Sequence, residues 1–317
     1  MFNYLAAKAR PVPVHEWPEH KVVWEDLGKN RLLGFETHRK GKPLVIVAPE
    51  AGHNSLIVHY SEENSLLNCA KRHYPGPIYI LEKLPATQQT KHFDAEYCFL
   101  VLTEALDCLN ESVNLVGLYQ GGWQSAVVTA REQSLVKSLT LAASPIDYHV
   151  GNSKITSCIR AFGREPFQML VNFYNGILPG WCMLNGFLAA DPFMLLRNEI
   201  ELFENSTNEK VISRQQYFDR WYMIVQDMPG GYYMDAVDLF LNNNLHKYAD
   251  FGNIDCKVNL ITGTKDKLTP PAQTLAFKKM VININVKEYQ INAGHIGVFM
   301  STSGLRDIWP VIFSEMS

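Results

Sequence analysis

Long apolar runs are missing from this chain. No stretch holds about eighteen uninterrupted apolar residues, so no ordinary membrane-spanning helix is expected. The start, MFNYLAAKARPVPV, carries two basic residues without an apolar run of signal-peptide length, and the expectation is a soluble, cytoplasmic protein. Charge of one sign is missing as well. Lys and Arg number 29 against 32 Asp and Glu, the net charge is −3 and the pI is near 6.4. That balance gives no basic stripe for nucleic acid and no polybasic patch for a membrane, and a neutral small or polymeric substrate fits it better. The six cysteines, Cys69, Cys98, Cys108, Cys158, Cys182 and Cys256, form no C-x-x-C pair and meet no paired histidines. They read as reduced core residues, with no metal site and no cofactor expected. Internal repeats, low-complexity tracts and long Gly/Ser linkers are absent too.

What remains is an alternation. Of 317 residues, 47% are apolar and 19% charged, enough for a sizeable core. Residues 21–37 read as a hairpin turning at Leu27-Gly28-Lys29-Asn30, and 42–49 as a continuous apolar strand. A helix is expected over about 54–72, a strand over 76–84, an amphipathic helix over 94–110, and a buried strand over 113–118. After a further helix, residues 136–145 are another apolar strand. Strand and helix in turn predict a mostly parallel sheet covered by helices on both faces. Between about Asp147 and Asp255 the rhythm breaks into a stretch rich in Trp, Phe, Tyr, Met, Gly and Pro. It resumes with strands at 257–264 and 286–294 and a terminal helix at 305–316. The expected organisation is therefore a core of residues 1–146 and 256–317 with a helical lid, 147–255, inserted over the carboxyl ends of the strands, where open α/β sheets bind ligands. An extra helical layer without a gating role is the alternative.

Three loop positions at strand ends carry the chemistry. The frame Gly117-Leu118-Tyr119-Gln120-Gly121 has the glycine spacing of G-x-S-x-G, the sharp strand-to-helix turn that exposes a nucleophile, but tyrosine stands where serine belongs. Asp266 follows the strand 257–264, and His295 follows the last strand. Nucleophile, acid, histidine is the order in which an α/β-hydrolase presents its triad, so convergence of Tyr119, Asp266 and His295 is expected, with one imidazole nitrogen on Asp266 and the other facing the tyrosine hydroxyl. Backbone N–H groups of Gln120 and of Glu50 or Ala51 are placed by topology as an oxyanion hole. His53 and Trp123 are candidates for lining the substrate pocket, although His53 can equally make a structural hydrogen bond. Ser125 and Ser144 are the rival nucleophiles, and neither has elbow geometry. The apolar segment 167–196 is expected to roof a pocket above Tyr119.

The blocks VAPEAGH, GLYQGGWQ, ASPIDYHVGN, TGTKDKLTPPAQT and AGHIGVFMSTSGLRDIWPVI resemble those of the polyhydroxyalkanoate synthase and intracellular depolymerase branch of the α/β-hydrolases, from roughly residue 40 to the C-terminus. In that branch the elbow usually carries cysteine followed by Gln, the acid loop reads G-x-x-D, and the histidine lies in G-H-x-G-V-F. The resemblance implies roles for Gln120, Asp266 and His295 and places Tyr119 where the cysteine would be. It implies an α/β-hydrolase fold and hydrolysis of an ester bond in a hydrophobic substrate, such as a polyhydroxyalkanoate-type polyester or its oligomers. A non-catalytic ligand-binding protein on the same scaffold is the other reading.

Overall fold

The computed structural model describes residues 2–10, 16–282 and 285–316. Two of the residues left outside it begin and end the chain, and the Pro-Val-Pro-Val part of the N-terminal stretch also lies outside the described residues. The chain opens with a short helix, Phe2–Lys8, then a hairpin of β1 (Lys21–Glu25) and β2 (Asn30–Phe35), and next β3 (Leu44–Val47). β4 (Ile78–Lys83), β5 (Val113–Leu118) and β6 (Val136–Ala142) follow, with helices Ala95–Asp107 and Gln120–Arg131 on either side of β5. Beyond β6 come six helices, Lys154–Phe162, Glu165–Phe173, Gly180–Ala190, Met194–Glu204, Glu209–Met223 and Gly230–Asn242. Among them β7 (Ile177–Leu178) and β8 (Met228–Pro229) form a small antiparallel pair, a piece of strand structure that the composition of this region did not signal. β9 (Lys257–Gly263) and β10 (Val286–Ile291) complete the main sheet.

That sheet has eight strands in the order β1-β2-β4-β3-β5-β6-β9-β10. The hairpin and the β2/β4 pair are antiparallel, and every neighbour from β4 to β10 is parallel. β3, β4 and β5 are buried at every residue, as expected of strands covered on both faces. β1, at the edge, leaves Val22 and Val23 exposed. One apolar core lies on each face: Val45, Val47, Leu115, Trp123 and Tyr232 belong to one, and Ile46, Val116, Leu118, Tyr119 and Trp309 to the other.

The helix expected over 54–72 is broken. Asn54 caps a single 3-10 turn, Ser55–Val58, and regular helix begins only at Leu66, capped by the Ser65 hydroxyl on the Asn68 N–H. The Ser-Glu-Glu-Asn-Ser stretch between them folds on itself, with the Ser61 hydroxyl accepting from the Asn64 N–H at 3.0 Å, and local side-chain bonds of this kind compete with helix. The terminal helix also has a defect, a π turn at Gly304–Ile308 ahead of Trp309–Glu315.

Candidate active site

β5 runs into Tyr119, and helix Gln120–Arg131 starts at the next residue. Tyr119 adopts φ 50° and ψ −115°, a conformation costly for a bulky side chain, which concentrates at functional turns. The turn is this tight because its glycines permit it. A Cβ on Gly121 would lie 2.5 Å from the Val47 carbonyl oxygen, and one on Gly122 would lie 1.7 Å from the Ser144 hydroxyl. The helix therefore packs directly on the end of β3 and on the residues after β6.

Asp266 and His295, each just past a strand, meet across the carboxyl end of the sheet. His295 Nδ1 lies 2.7 Å from Asp266 Oδ2. The other carboxylate oxygen accepts from the backbone N–H groups of Leu268 at 2.9 Å and Thr269 at 2.8 Å, so the acid is held on three sides in a buried position. A carboxylate at Nδ1 fixes the imidazole tautomer that donates there and leaves Nε2 as the acceptor. Nε2 has no hydrogen-bond partner among the described residues, and the side chain is 13% exposed.

Tyr119 is beside this pair, but not as its hydrogen-bond partner. The Tyr119 and His295 rings meet edge to face, with centroids 4.6 Å apart and planes at 82°. The imidazole thus lies against the phenol ring, and no hydrogen bond joins it to the hydroxyl. Tyr119 is 5% exposed. Burial pushes its hydroxyl well above the usual phenol pKa; a hydrogen bond with Gln120 opposes this, and the Asp266 charge adds to it. The half of the expected arrangement that joined His295 to Asp266 is present, and the half that joined His295 to the Tyr119 oxygen is replaced by a ring contact, because the phenol carries its oxygen past the space a smaller nucleophile would occupy.

Gln120 is the first residue of its helix, so its N–H has no intrahelical acceptor and points out of the helix start. Glu50 and Ala51 lie in the loop beyond β3, adjoining the elbow. The Glu50 side chain is itself buried, 2.7 Å from Lys29 Nζ. His53, a candidate for lining the pocket, takes the structural role instead. Its Nε2 bonds to the Tyr222 carbonyl at 3.0 Å, and its ring stacks on Trp221 at 4.6 Å. Burial holds its pKa down. It ties the loop to helix Glu209–Met223.

Trp123 requires a correction. It is fully buried, stacked on Tyr232 with planes 10° apart and set edge to face with Phe99, so it packs the core and lines no cleft. One turn into the helix, its side chain turns inward over the sheet. Ser125 donates to the Gly121 carbonyl at 2.7 Å, and Ser144 lies near the Gly117 and Ala142 carbonyls. Both are buried, and neither stands at the elbow.

Above the site, Leu184 from the 167–196 segment shares a core with Tyr119 and Ala51, as do Trp221 and Tyr222 from helix Glu209–Met223, and Phe187 and Leu188 pack against them. The rest of the segment is divided: Val171 and Leu178 join the opposite core, and Met169, Phe173 and Trp181 are exposed. A cavity of about 580 Å³, lined by polar residues such as Lys91, Arg164 and Asp235, lies elsewhere and does not include Tyr119. Among the described residues no cluster of His, Cys, Asp and Glu could hold a metal ion, and no helix is long and apolar enough to cross a membrane. Sequence reasoning missed the buried side chains that meet candidate site residues, Lys29 on Glu50 and Tyr232 on Gln120.

Comparison with known proteins agrees with the fold. The chain is 26% identical over 224 residues to the poly(3-hydroxyalkanoate) polymerase subunit PhaC of Haloarcula marismortui, covering 65% of this chain and 46% of that one. It is 24% identical to the corresponding subunit of Allochromatium vinosum, covering 64% and 59%. The chain thus spans about half the length of the curated relatives it matches. Among solved structures, a monoacylglycerol lipase of Paleococcus ferrophilus superposes with a TM-score of 0.59 at 17% identity, covering 91% of this chain and all of that one. The thioesterase domain from the curacin biosynthetic pathway superposes with a TM-score of 0.53 at 14% identity, covering 94% and 98%. The structural likenesses show an α/β-hydrolase fold, and the sequence likeness is to poly(3-hydroxyalkanoate) polymerase subunits. A family model described as "Protein of unknown function (DUF3141)" matches residues 31–307, and the chain belongs to that family.

Proposed function

We propose that this protein hydrolyses an ester bond of a hydrophobic acyl substrate, with His295 as the base, Asp266 as its orienter and Tyr119 at the nucleophile position acting as a hydrogen-bond donor. The observation that carries the reading is the 2.7 Å contact of His295 with a buried, fully bonded Asp266 at the strained elbow. A ligand-binding scaffold has little use for an imidazole held in one tautomer with its second nitrogen open.

Tyr119 could serve as a nucleophile only as a phenolate. An ordinary phenol is about a thousandth ionised at neutral pH, and here burial lowers that fraction further. With His295 against its ring, nothing removes its proton. In the proposed reaction His295 Nε2 takes a proton from water, and the water oxygen adds to the ester carbonyl. Backbone N–H groups of Gln120 and of Glu50 or Ala51, joined by the Tyr119 hydroxyl, hold the oxyanion. The intermediate then collapses to the acid, and the alcohol leaves with the proton from Nε2. The apolar side chains Leu184, Trp221 and Tyr222 in the core that includes Tyr119 suit a hydrophobic acyl group. The likeness to poly(3-hydroxyalkanoate) polymerase subunits makes a polyhydroxyalkanoate-type polyester or its oligomers the natural substrate class. Polymerisation itself is less suited to this site, since a growing chain must be carried on a nucleophile.

Turnover of p-nitrophenyl esters tests the reading. His295→Ala should abolish activity, and Tyr119→Phe should lower kcat by about a hundredfold, the scale of losing one oxyanion donor. The wild type should show no acyl-enzyme burst. Acylated Tyr119 detected by mass spectrometry would replace the water mechanism with covalent catalysis by the phenol. Absence of turnover in wild-type protein that binds such esters would leave the binding scaffold as the function.

A further inference from the structure

We propose that two buried side-chain anchors, Lys29 on Glu50 and Tyr232 on Gln120, are positioning devices that set the backbone N–H donors of the oxyanion hole. The inference rests on the hydrolytic reading above and concerns residues outside the reacting set.

The hole draws its donors from two segments, the loop after β3 and the start of helix Gln120–Arg131. Both lie beyond the last paired residues of their strands, since β3 ends at Val47 and β5 at Leu118, so sheet hydrogen bonds do not fix their spacing. The side chains do. Glu50 and Lys29 are each 2% exposed and 2.7 Å apart. A carboxylate removed from water is strongly destabilising unless a counter-charge meets it. The loop is therefore stable only where Glu50 reaches Lys29. Lys29 is held in turn: its N–H bonds to Asp26 Oδ1 at 2.8 Å, and its carbonyl accepts from the Leu84 N–H at 2.8 Å. Lys83, its neighbour across that pairing, is also buried, and its Nζ has no hydrogen-bond partner.

The second donor is tied from the other side. The Tyr232 hydroxyl donates to Gln120 Oε1 at 2.7 Å and accepts from Gln124 Nε2 at 2.9 Å, all three side chains being buried. Tyr232 stands at the start of helix Gly230–Asn242, where its own N–H bonds to the Phe93 carbonyl at 2.8 Å. Glu50 and Gln120 are thus anchored through their own side chains while their N–H groups are left for the substrate.

The test compares affinities for two probes by calorimetry, a phenylalkyl trifluoromethyl ketone, whose hydrate offers a tetrahedral oxygen to the hole, and the matching methyl ketone. Wild-type protein should prefer the trifluoromethyl ketone. Tyr232→Phe and the double variant Lys29→Met/Glu50→Gln, which removes both charges of the pair together, should each lose at least about tenfold of that preference while methyl ketone affinity stays unchanged, as expected of donors displaced by a fraction of an ångström. Equal weakening of both probes would reduce the anchors to pocket structure, and an undiminished preference would overturn the positioning role. No preference in the wild type would refute the hydrolytic reading and the hole with it, a pattern distinct from either variant result.

Discussion

Gly121→Ala tests whether the contact between elbow and β3 governs the site. A methyl group there would lie 2.5 Å from the Val47 oxygen, 3.1 Å from its carbonyl carbon and 3.0 Å from the Ala48 oxygen. All three are backbone atoms, so no side chain can swing away; the helix start or the end of β3 must move. Overpacking of this kind costs about 1–3 kcal/mol. For a chain this size each kcal/mol lowers Tm by about 2–4 °C, so a fall of roughly 2–12 °C is expected. Val47 and Ala48 lead directly into Glu50 and Ala51, and the displacement reaches the loop proposed to hold the oxyanion. Ester turnover should therefore fall more than stability does, by about a hundredfold for a shift near 1 Å. Gly186→Ala is the control, because nothing lies within 4 Å of its added methyl and it sits inside helix Gly180–Ala190. It should leave stability unchanged or raise it by about 0.5–1 kcal/mol. Calorimetric melts and kcat of both variants decide the matter. A Gly121→Ala protein with wild-type Tm and turnover would refute the close contact.

Two further outcomes follow from charge. His53 has its pKa lowered by burial, so the unfolded chain takes up its proton first; the stability it contributes is present above the ordinary histidine value of about 6.5 and is lost as pH falls below it. Between pH 7.5 and 5.5 the wild-type Tm should drop more than that of His53→Phe, and parallel drops would show that His53 is not the group responsible. Glu315 is held down to about 2 by Lys287 and Lys257, which it meets at 2.8 and 3.1 Å. Its contribution is present above the ordinary carboxylate range and lost as pH falls toward about 2, so Glu315→Gln should melt below wild type at pH 7 and with it near pH 2.

The parts of this molecule that the chain writes locally were legible in it. β5 matches its expected span residue for residue, because a strand buried on both faces is mostly apolar, its one polar side chain, Asn114, being buried and hydrogen-bonded. Asp266 and His295 were visible because topology alone brings loops after neighbouring parallel strands together. Several of the failures concern what a side chain meets on another element. Trp123 reads as a pocket residue beside the elbow, but helix geometry turns it toward Tyr232, more than a hundred residues away in sequence. Lys29 reads only as part of the hairpin turn, and its burial against Glu50 depends on the pairing of the β2 and β4 ends, where Asn30 opposes Lys83. Residues 59–65 read as helix because the flanking apolar spacing hides turn chemistry that acts one hydrogen bond at a time.

Tyr119→Cys addresses the departure at the elbow directly. Removing the phenol opens the space in which the imidazole now meets its ring, 4.6 Å between centroids, and leaves a short side chain on the same strained backbone. A thiol there would face His295 with no ring between them. Pairing with an imidazole that Asp266 holds in place lowers a thiol's pKa by stabilising the thiolate, so the variant should be alkylated by iodoacetamide at residue 119 near neutral pH. The lost aromatic packing leaves a cavity, and a destabilisation of about 3–5 kcal/mol is expected on the scale of large aromatic truncations. Of the native cysteines only Cys158 is exposed, and fragment-ion mass spectrometry separates residue 119 from Cys98 and Cys108 on the same tryptic peptide. Ester turnover in the variant should begin with a burst, the mark of an acyl-enzyme that the wild type does not form. A folded variant whose residue 119 resists alkylation would mean that His295 does not face the elbow, and the base assigned to it here would be lost.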